Sequence, residues 1–328
     1  MRSAKKIVLC FSVLYLSLTL SIAQQSVPYL AIITEINGNA LLKKAGKDIF
    51  EKAYWGTQLF KGDQVKTSEG TTVKLLYVDN TIVSLGPNHT LSISGDESYA
   101  AGTVEEVRKI SSGTMVNLAS LTTNRDNTKD VGSLAFLRSN KGSASIVLTS
   151  PANTLIKTDR PDFSWQSAES FEAFTVNLYN SNGLVWSKEV TENEMNYPEN
   201  EKGLQFGETY FWNVEGEELI DNEKSANQSF SLLSPEMTRE VETQEKLIRS
   251  SFIDDPEGSS LHLLLGAYYI DQGLLLDAIN EFQMISTIHA DSPLPHEILG
   301  SLYSDVGNKD KAIEELQKAL LLVKSSSE

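Results

Sequence analysis

The chain has 328 residues, with 28 Lys plus Arg, 44 Asp plus Glu, four His and one Cys. That length suits two or three domains, and 40% hydrophobic with 22% charged residues is globular rather than disordered composition. The formal charge of −16 argues against a nucleic-acid binder, which needs a basic face to neutralise phosphates, and four histidines leave little material for His-based catalysis or a zinc site.

Arg2, Lys5 and Lys6 precede an apolar run from Ile7 to Ile22, and Ser21 and Ala23 then stand at signal-peptidase spacing. Basic, apolar, then small-x-small is the layout of a secretory signal peptide. The run is short for a membrane span, which needs about 20 residues; an uncleaved anchor is the alternative. Cleavage after Ala23 removes the only cysteine, Cys10, and three positive charges, leaving 25 basic against 44 acidic residues and a charge of −19. The expected product is an exported, periplasmic or cell-envelope protein that folds without disulfides and keeps no stable membrane span.

From about Tyr29 to Ile93, short alternating stretches are bounded by Gly, Asn and Asp. AIITEINGNALLKK predicts two strands around an Asn37-Gly38 turn, and TVKLLYVDNTIVSL two more around Asp79-Asn80. The order Leu59, Gly62-Asp63, Val65, Thr67, Val73, Leu75, Asp79-Asn80-Thr81, Val83, Leu85, Pro87-Asn88, Leu91 resembles the FecR-type domain of bacterial envelope proteins. That resemblance covers roughly residues 32–93 and implies an all-β module outside the inner membrane, making protein or glycan contacts. The regulator role of such domains is not carried over, because a chain led by a signal peptide has no cytoplasmic segment to act on a sigma factor. Asp63 is read as a turn residue rather than a site. Residues 117–141, rich in Thr, Asn, Asp, Gly and Ser, read as an exposed loop.

From Pro151 to about Leu233 aromatic residues alternate: Phe163 and Trp165, then Phe174, Val176 and Leu178, then Tyr210, Trp212 and Val214. Period two with one aromatic face is a half-buried strand. About seven such strands suggest an immunoglobulin-like sandwich, and SPANTLIKTDRPDFSWQ with LQFGETYFWNVEG resembles fibronectin type III-like modules of exported bacterial proteins. Trp165, Trp186, Tyr210 and Trp212 are expected to pack in the core, with sugar stacking as the alternative use and Trp186 the best candidate for an exposed ring.

The C-terminal part repeats itself. Leu265, Gly266, Tyr269, Gly273, Ala278, Ile279 and Phe282 recur 34 residues later as Leu299, Gly300, Tyr303, Gly307, Ala312, Ile313 and Leu316. The period and the Leu-Gly-x-x-Tyr…Ala-x-x-x-Phe pattern resemble two tetratricopeptide repeats. His262 and His296 stand where that family often has Trp, and Ala290 where it usually has Pro; the histidines are read as packing residues rather than metal ligands. The resemblance implies a peptide groove lined by the first helices, here at Leu263, Ala267, Ile270, Asp271, Glu297, Ser301, Ser304 and Asp305. With no basic residue on either first helix, a carboxylate clamp is disfavoured, and Asp271, Glu297 and Asp305 favour a basic or neutral protein partner. Because about three repeats are needed to bury a continuous core, residues 236–252 are expected to supply an extra helix. Leu320 to Val323 are four successive apolar residues that no single neighbour can hide; they read either as a self-association surface or as an imperfectly covered last helix.

No nucleophile elbow, phosphate loop or zinc-protease helix is present in the sequence, and Asp254, Asp255 and Glu257 lack EF-hand spacing. The expected organisation is multidomain: a signal peptide (1–23), an all-β FecR-like domain (24–148), a β-sandwich (149–234) and an all-α helical linker with two repeats (235–328). The expected role is non-enzymatic, with no catalytic residue, cofactor or metal. A protein partner binds through the repeat groove, in assembly at the cell envelope. The alternative is a glycan-binding or peptidoglycan-binding, or signal-sensing, protein acting through the FecR-like domain.

Overall fold

A computed structural model describes residues 29–94, 104–110, 121, 145–217 and 223–325. The leader at 1–23 and nearly all of 117–141 lie outside these residues. Within them the chain is β-rich as far as Leu232 and helical from Pro235 onward.

The first strands are β1 (Ala31–Asn37), β2 (Ala40–Lys43), β3 (Glu51–Lys52), β4 (Gln58–Leu59), β5 (Gln64–Thr67), β6 (Thr72–Tyr77), β7 (Thr81–Leu85), β8 (Thr90–Ser92) and β9 (Glu106–Lys109). They form two sheets, ordered β4-β1-β6-β7-β9 and β3-β2-β5-β8. Asp79-Asn80 behaves as read: β6 and β7 pair antiparallel, and Asn80 takes the left-handed conformation of the turn. Asn37-Gly38 does not form a hairpin. β1 pairs with β4 and β6 while β2 pairs with β3 and β5, so the turn hands the chain from one sheet to the other. The reason lies in β1 itself, which is apolar on both faces. Ala31 and Ile33 join Val73, Leu75, Val83 and Leu85 in the core between the sheets. Ile32, with Leu76 and Ile82, faces the other way into a second cluster shared with the helices. A strand covered on both sides needs a helix or sheet on each.

The second group, β10 (Ile146–Ser150), β11 (Thr154–Ile156), β12 (Phe163–Ser167), β13 (Phe174–Asn180), β14 (Gly183–Val190), β15 (Glu194–Met195), β16 (Thr209–Gly216), β17 (Glu223–Lys224) and β18 (Gln228–Leu232), builds sheets β10-β12-β15 and β11-β18-β16-β13-β14, with β17 on β16. Their core centres on Phe163, whose ring meets Trp186, Trp212 and Phe230 edge-on.

Five helices follow: α1 (Pro235–Ser250), α2 (Ser259–Gln272), α3 (Leu275–Ile288), α4 (Pro293–Asp305) and α5 (Lys309–Ser325). α1 opens with Ser234, whose hydroxyl accepts from the Met237 amide, followed by a proline in the first turn. It supplies the expected extra helix, burying Val241, Gln244 and Ile248. In both hairpins α2/α3 and α4/α5 the helices touch at a glycine. A Cβ on Gly266 would stand 2.7 Å from the Phe282 ring, and one on Gly300 2.6 Å from Leu316. No helix among the described residues is long and apolar enough to cross a membrane.

Candidate functional site

The first helices of the two hairpins, α2 and α4, carry the candidate groove, and their setting is fixed at three levels. Within each hairpin a histidine ties the helices together. His262 Nδ1 lies 2.6 Å from Glu281 Oε2, and 34 residues later His296 Nδ1 lies 2.6 Å from Glu315 Oε2. Burial works against the Glu315 charge, but hydrogen bonds from His296 and Lys318 overcome it and hold the carboxyl below the usual range. The histidines therefore act as interhelix clamps. Their carboxylate partners share the 34-residue spacing, a signal present in the sequence but not used in reading it.

At one end of the hairpins the first β-unit is joined by apolar packing and buried neutral hydrogen bonds, with the ion pairs Lys74–Asp255 (2.9 Å) and Lys52–Asp291 (3.7 Å) at the edge. The Ser259 hydroxyl donates to the Thr34 carbonyl, and Ser260 donates to Thr34 Oγ1 at 2.8 Å. Trp55 Nε1 donates to the same carbonyl at 2.8 Å, while the Trp55 carbonyl accepts from Ser292 at 2.9 Å. The Trp55 ring stacks on His289 with centroids 5.2 Å apart. Burial pushes the His289 imidazole toward the neutral form, against the pull of Asp291 and Glu35. Gly56, at φ +74°, lies against Leu294, which a Cβ there would overlap.

At the other end, around Gly273, the sandwich is joined through charge. Lys157 Nζ lies 2.8 Å from both Glu245 and Asp277 and 4.7 Å above the Tyr269 ring. Burial lowers the affinity of Lys157 for its proton, but hydrogen bonds to Asp277 and Glu245 outweigh it, and the ammonium is held charged well above its ordinary range. The Leu155 amide donates to the Gly273 carbonyl at 2.9 Å, and Thr154 Oγ1 accepts from the Leu275 amide at 3.0 Å.

This setting divides the candidate groove residues. Leu263 and Ala267 are fully buried, in one cluster with Ile32, Leu76 and Ile82 of the first β-unit and Val241 and Ile248 of α1. They are unavailable to a partner, which corrects the expectation for the first hairpin. The positions that line an open groove in a longer array are covered by the chain itself. Ile270 is half-buried and Asp271 exposed. On the second hairpin Glu297 and Ser301 are half-buried, and Ser304 and Asp305 are exposed. A cleft of about 450 Å³ opens beside Glu297, walled by Trp55, Gly56, Phe60, Leu294 and Val323. Trp55 and Phe60, which sequence reasoning did not single out, make the groove a composite of both modules. The available signal was a tryptophan placed directly before a glycine inside a turn.

The remaining sequence candidates resolve individually. Asp63 is buried and accepts from the Ala45 and Phe60 amides and from Lys44, a turn role as read. Trp165, Trp186, Tyr210 and Trp212 all lie in the sandwich core. Trp186, the best candidate for an exposed ring, is only 4% exposed and packs with the other three. It pairs with Leu178, and the register shift between Leu178 and Tyr179 leaves Leu184 and Val185 outside instead. Leu320, Leu321 and Val323 are exposed on α5.

No protein-family model and no curated protein matches the chain. Among solved structures it is similar to a cell surface anchoring domain, at 24% identity over 23% of this chain and 96% of that one, with a TM-score of 0.21. A multi-domain immunophilin from Arabidopsis thaliana matches at 13% identity over 47% of this chain and 90% of its own, with a TM-score of 0.21. A beta-1,2-glucanase from Parabacteroides distasonis matches at 8% identity over 89% of this chain and 58% of its own, with a TM-score of 0.22. Likenesses this faint leave function to be argued from the residues.

Proposed function

We propose that the protein is a non-enzymatic, exported envelope protein that holds a protein partner in the half-open groove of its second tetratricopeptide-like hairpin. One observation carries the reading: Leu263 and Ala267 are fully buried, whereas on the second hairpin Ser304 and Asp305 are exposed and Glu297 lines a cleft. Fusion of the β-unit to the first hairpin also supports a short array, because it supplies the cover that a third repeat otherwise gives. The partner segment is neutral or basic, since α4 carries Glu297 and Asp305 and no Lys or Arg. A photo-crosslinking residue at Ser304, exposed in the native envelope, is expected to capture a discrete protein, whereas one at exposed Glu242 on α1 captures none. Equal labelling from both positions would remove the groove from the proposal.

The exposed run on α5 supports a second contact, self-association through Leu320–Val323. Leu321 is 66% exposed, where a terminal helix of a repeat array is ordinarily polar on its outer side. Leu321→Ser is expected to shift sedimentation from dimer to monomer without loss of helicity. A monomeric parent chain at the same concentration would remove this contact. Glycan stacking draws no support from the four sandwich aromatics, all of which are core residues.

A further inference from the structure

The acidity of the whole chain hides a local exception on the sheet β3-β2-β5-β8. One face of that sheet, with Ala40, Leu42, Val65 and Leu91, packs in the core of the first β-unit. The register fixes what the other face presents. Lys52, Leu41, Lys66 and Thr90 lie opposite one another across the four strands, and Lys43, Gln64 and Ser92 form the next row. These seven positions hold three lysines and no carboxylate, in a chain of net charge −16. Lys43 and Lys66 share the Phe50 ring, with Nζ 5.4 and 5.7 Å from its centroid, which holds both ammonium groups over one spot. Lys52 Nζ has Asp291 at 3.7 Å, an exposed contact that salt weakens. Asp48 in the β2–β3 connection and exposed Glu51 at the start of β3 are the nearby carboxylates, against Lys44 and Lys47 of the connection. Late in that connection, just before β3, Ile49 is 73% exposed, with Lys47 two residues before it and Phe50 beside it.

We propose that this lysine-rich face, with the exposed Ile49 beside it, docks the protein on an anionic lipid surface. Charge complementarity selects the sign of the partner, because the face is basic while the rest of the molecule is strongly acidic and is repelled. Ile49 selects a bilayer over a soluble polyanion, since an exposed aliphatic side chain gains only where it can leave water. Each lysine near an anionic leaflet is worth about a fivefold gain in partition, and salt screens the effect. Docking on this face turns the acidic surface away from the lipid and does not depend on the partner groove.

The test is vesicle flotation of the chain from Gln24 onward, which lacks the apolar leader. Phosphatidylcholine vesicles are compared with and without phosphatidylglycerol. Binding is expected only to the anionic vesicles, falling at least about tenfold at high salt. Lys43→Gln, Lys52→Gln and Lys66→Gln combined are expected to lower partition on the order of 100-fold. Ile49→Ser lowers it several-fold, and Lys202→Gln, on the exposed surface of the second β-group, leaves it unchanged. All replaced side chains are at least partly solvent-exposed, and unchanged circular dichroism verifies the fold of each variant. Equal binding to neutral vesicles, an unaffected triple variant, or capture of soluble polyphosphate without vesicle binding would each overturn the proposal.

Discussion

The two ends of the helical layer are joined to β-structure by different balances of apolar packing and charge. At the Trp55 end the contact is continuous with the largest buried cluster, and its buried polar groups are neutral (Ser259, Ser260, Ser292 and the Thr34 carbonyl), while the ion pairs Lys74–Asp255 and Lys52–Asp291 lie at its more exposed edge. At the Lys157 end an ammonium is shared by two carboxylates above a tyrosine ring, framed by backbone hydrogen bonds at Gly273. An apolar junction draws its strength from area removed from water and is indifferent to salt. A charged junction is directional, gives less net stability because desolvation offsets the Coulomb gain, and responds to pH. The first β-unit and the hairpins therefore behave as one folding unit, with the sandwich as the more separable part.

Four measurements can break or sharpen this contrast. The largest effect is expected from Trp55→Ala, which empties the apolar junction and should cost about 4 kcal/mol. Denaturant unfolding of this variant should separate into two transitions, where in the parent chain the first β-unit and helices are expected to unfold together. Coincident transitions in the variant would contradict the single-core account. Lys157→Ala leaves Glu245 and Asp277 facing each other without a cation. The expected cost is about 2 kcal/mol, because Lys157 retains some solvent contact. Protease nicking between the sandwich and α1 should increase, with the Trp55 junction still protected.

The charged junction also predicts an alkaline limb. Lys157 and Tyr269 both hold their protons more tightly in the folded chain. Burial dominates for Tyr269, whereas ion pairing outweighs burial for Lys157. Stability from these groups is complete below their unfolded pKa, about 10 to 10.5, and is lost as pH rises through the higher folded values. A thermal melt series above pH 10 should show the sandwich loosening first, and Lys157→Met should flatten that limb. The smallest effect is Glu315→Gln. The folded Glu315 carboxyl is depressed, so its contribution is present above its unfolded pKa and lost as pH falls through the folded value. The variant should cost about 1 kcal/mol at neutral pH and remove part of the acid limb. An unchanged acid limb would mean that the His296 clamp contributes no linkage.

Legibility in the sequence followed the range of the interaction. Asp79-Asn80 was readable because its turn chemistry is satisfied within the hairpin it closes. Asn37-Gly38 was not, since the same dipeptide serves equally to pass a chain between two sheets, and only the distant partners of β1 and β2 distinguish the cases. Alternation placed Trp165 and Trp212 inward correctly. Trp186 shares that core, on a strand where one register shift in the β13–β14 pair leaves Leu184 and Val185 outside. Among the groove residues, Ser304 and Asp305 are exposed, while Leu263 and Ala267 are buried in a cluster that includes residues far away in the chain, such as Ile32.

What the sequence determined by itself was periodic: the 34-residue recurrence, the glycines that let α2 meet α3 and α4 meet α5, and the alternating strands of two β-units. Period fixes which side of an element is apolar, because side-chain direction repeats every 3.6 residues in a helix and every two in a strand. Only the tertiary structure decided what covers each apolar side. It set the first β-unit over the first hairpin, left the second hairpin half open, and gathered Lys43, Lys52 and Lys66 on one face of an acidic protein. Those outcomes rest on contacts between distant segments, which no local pattern specifies.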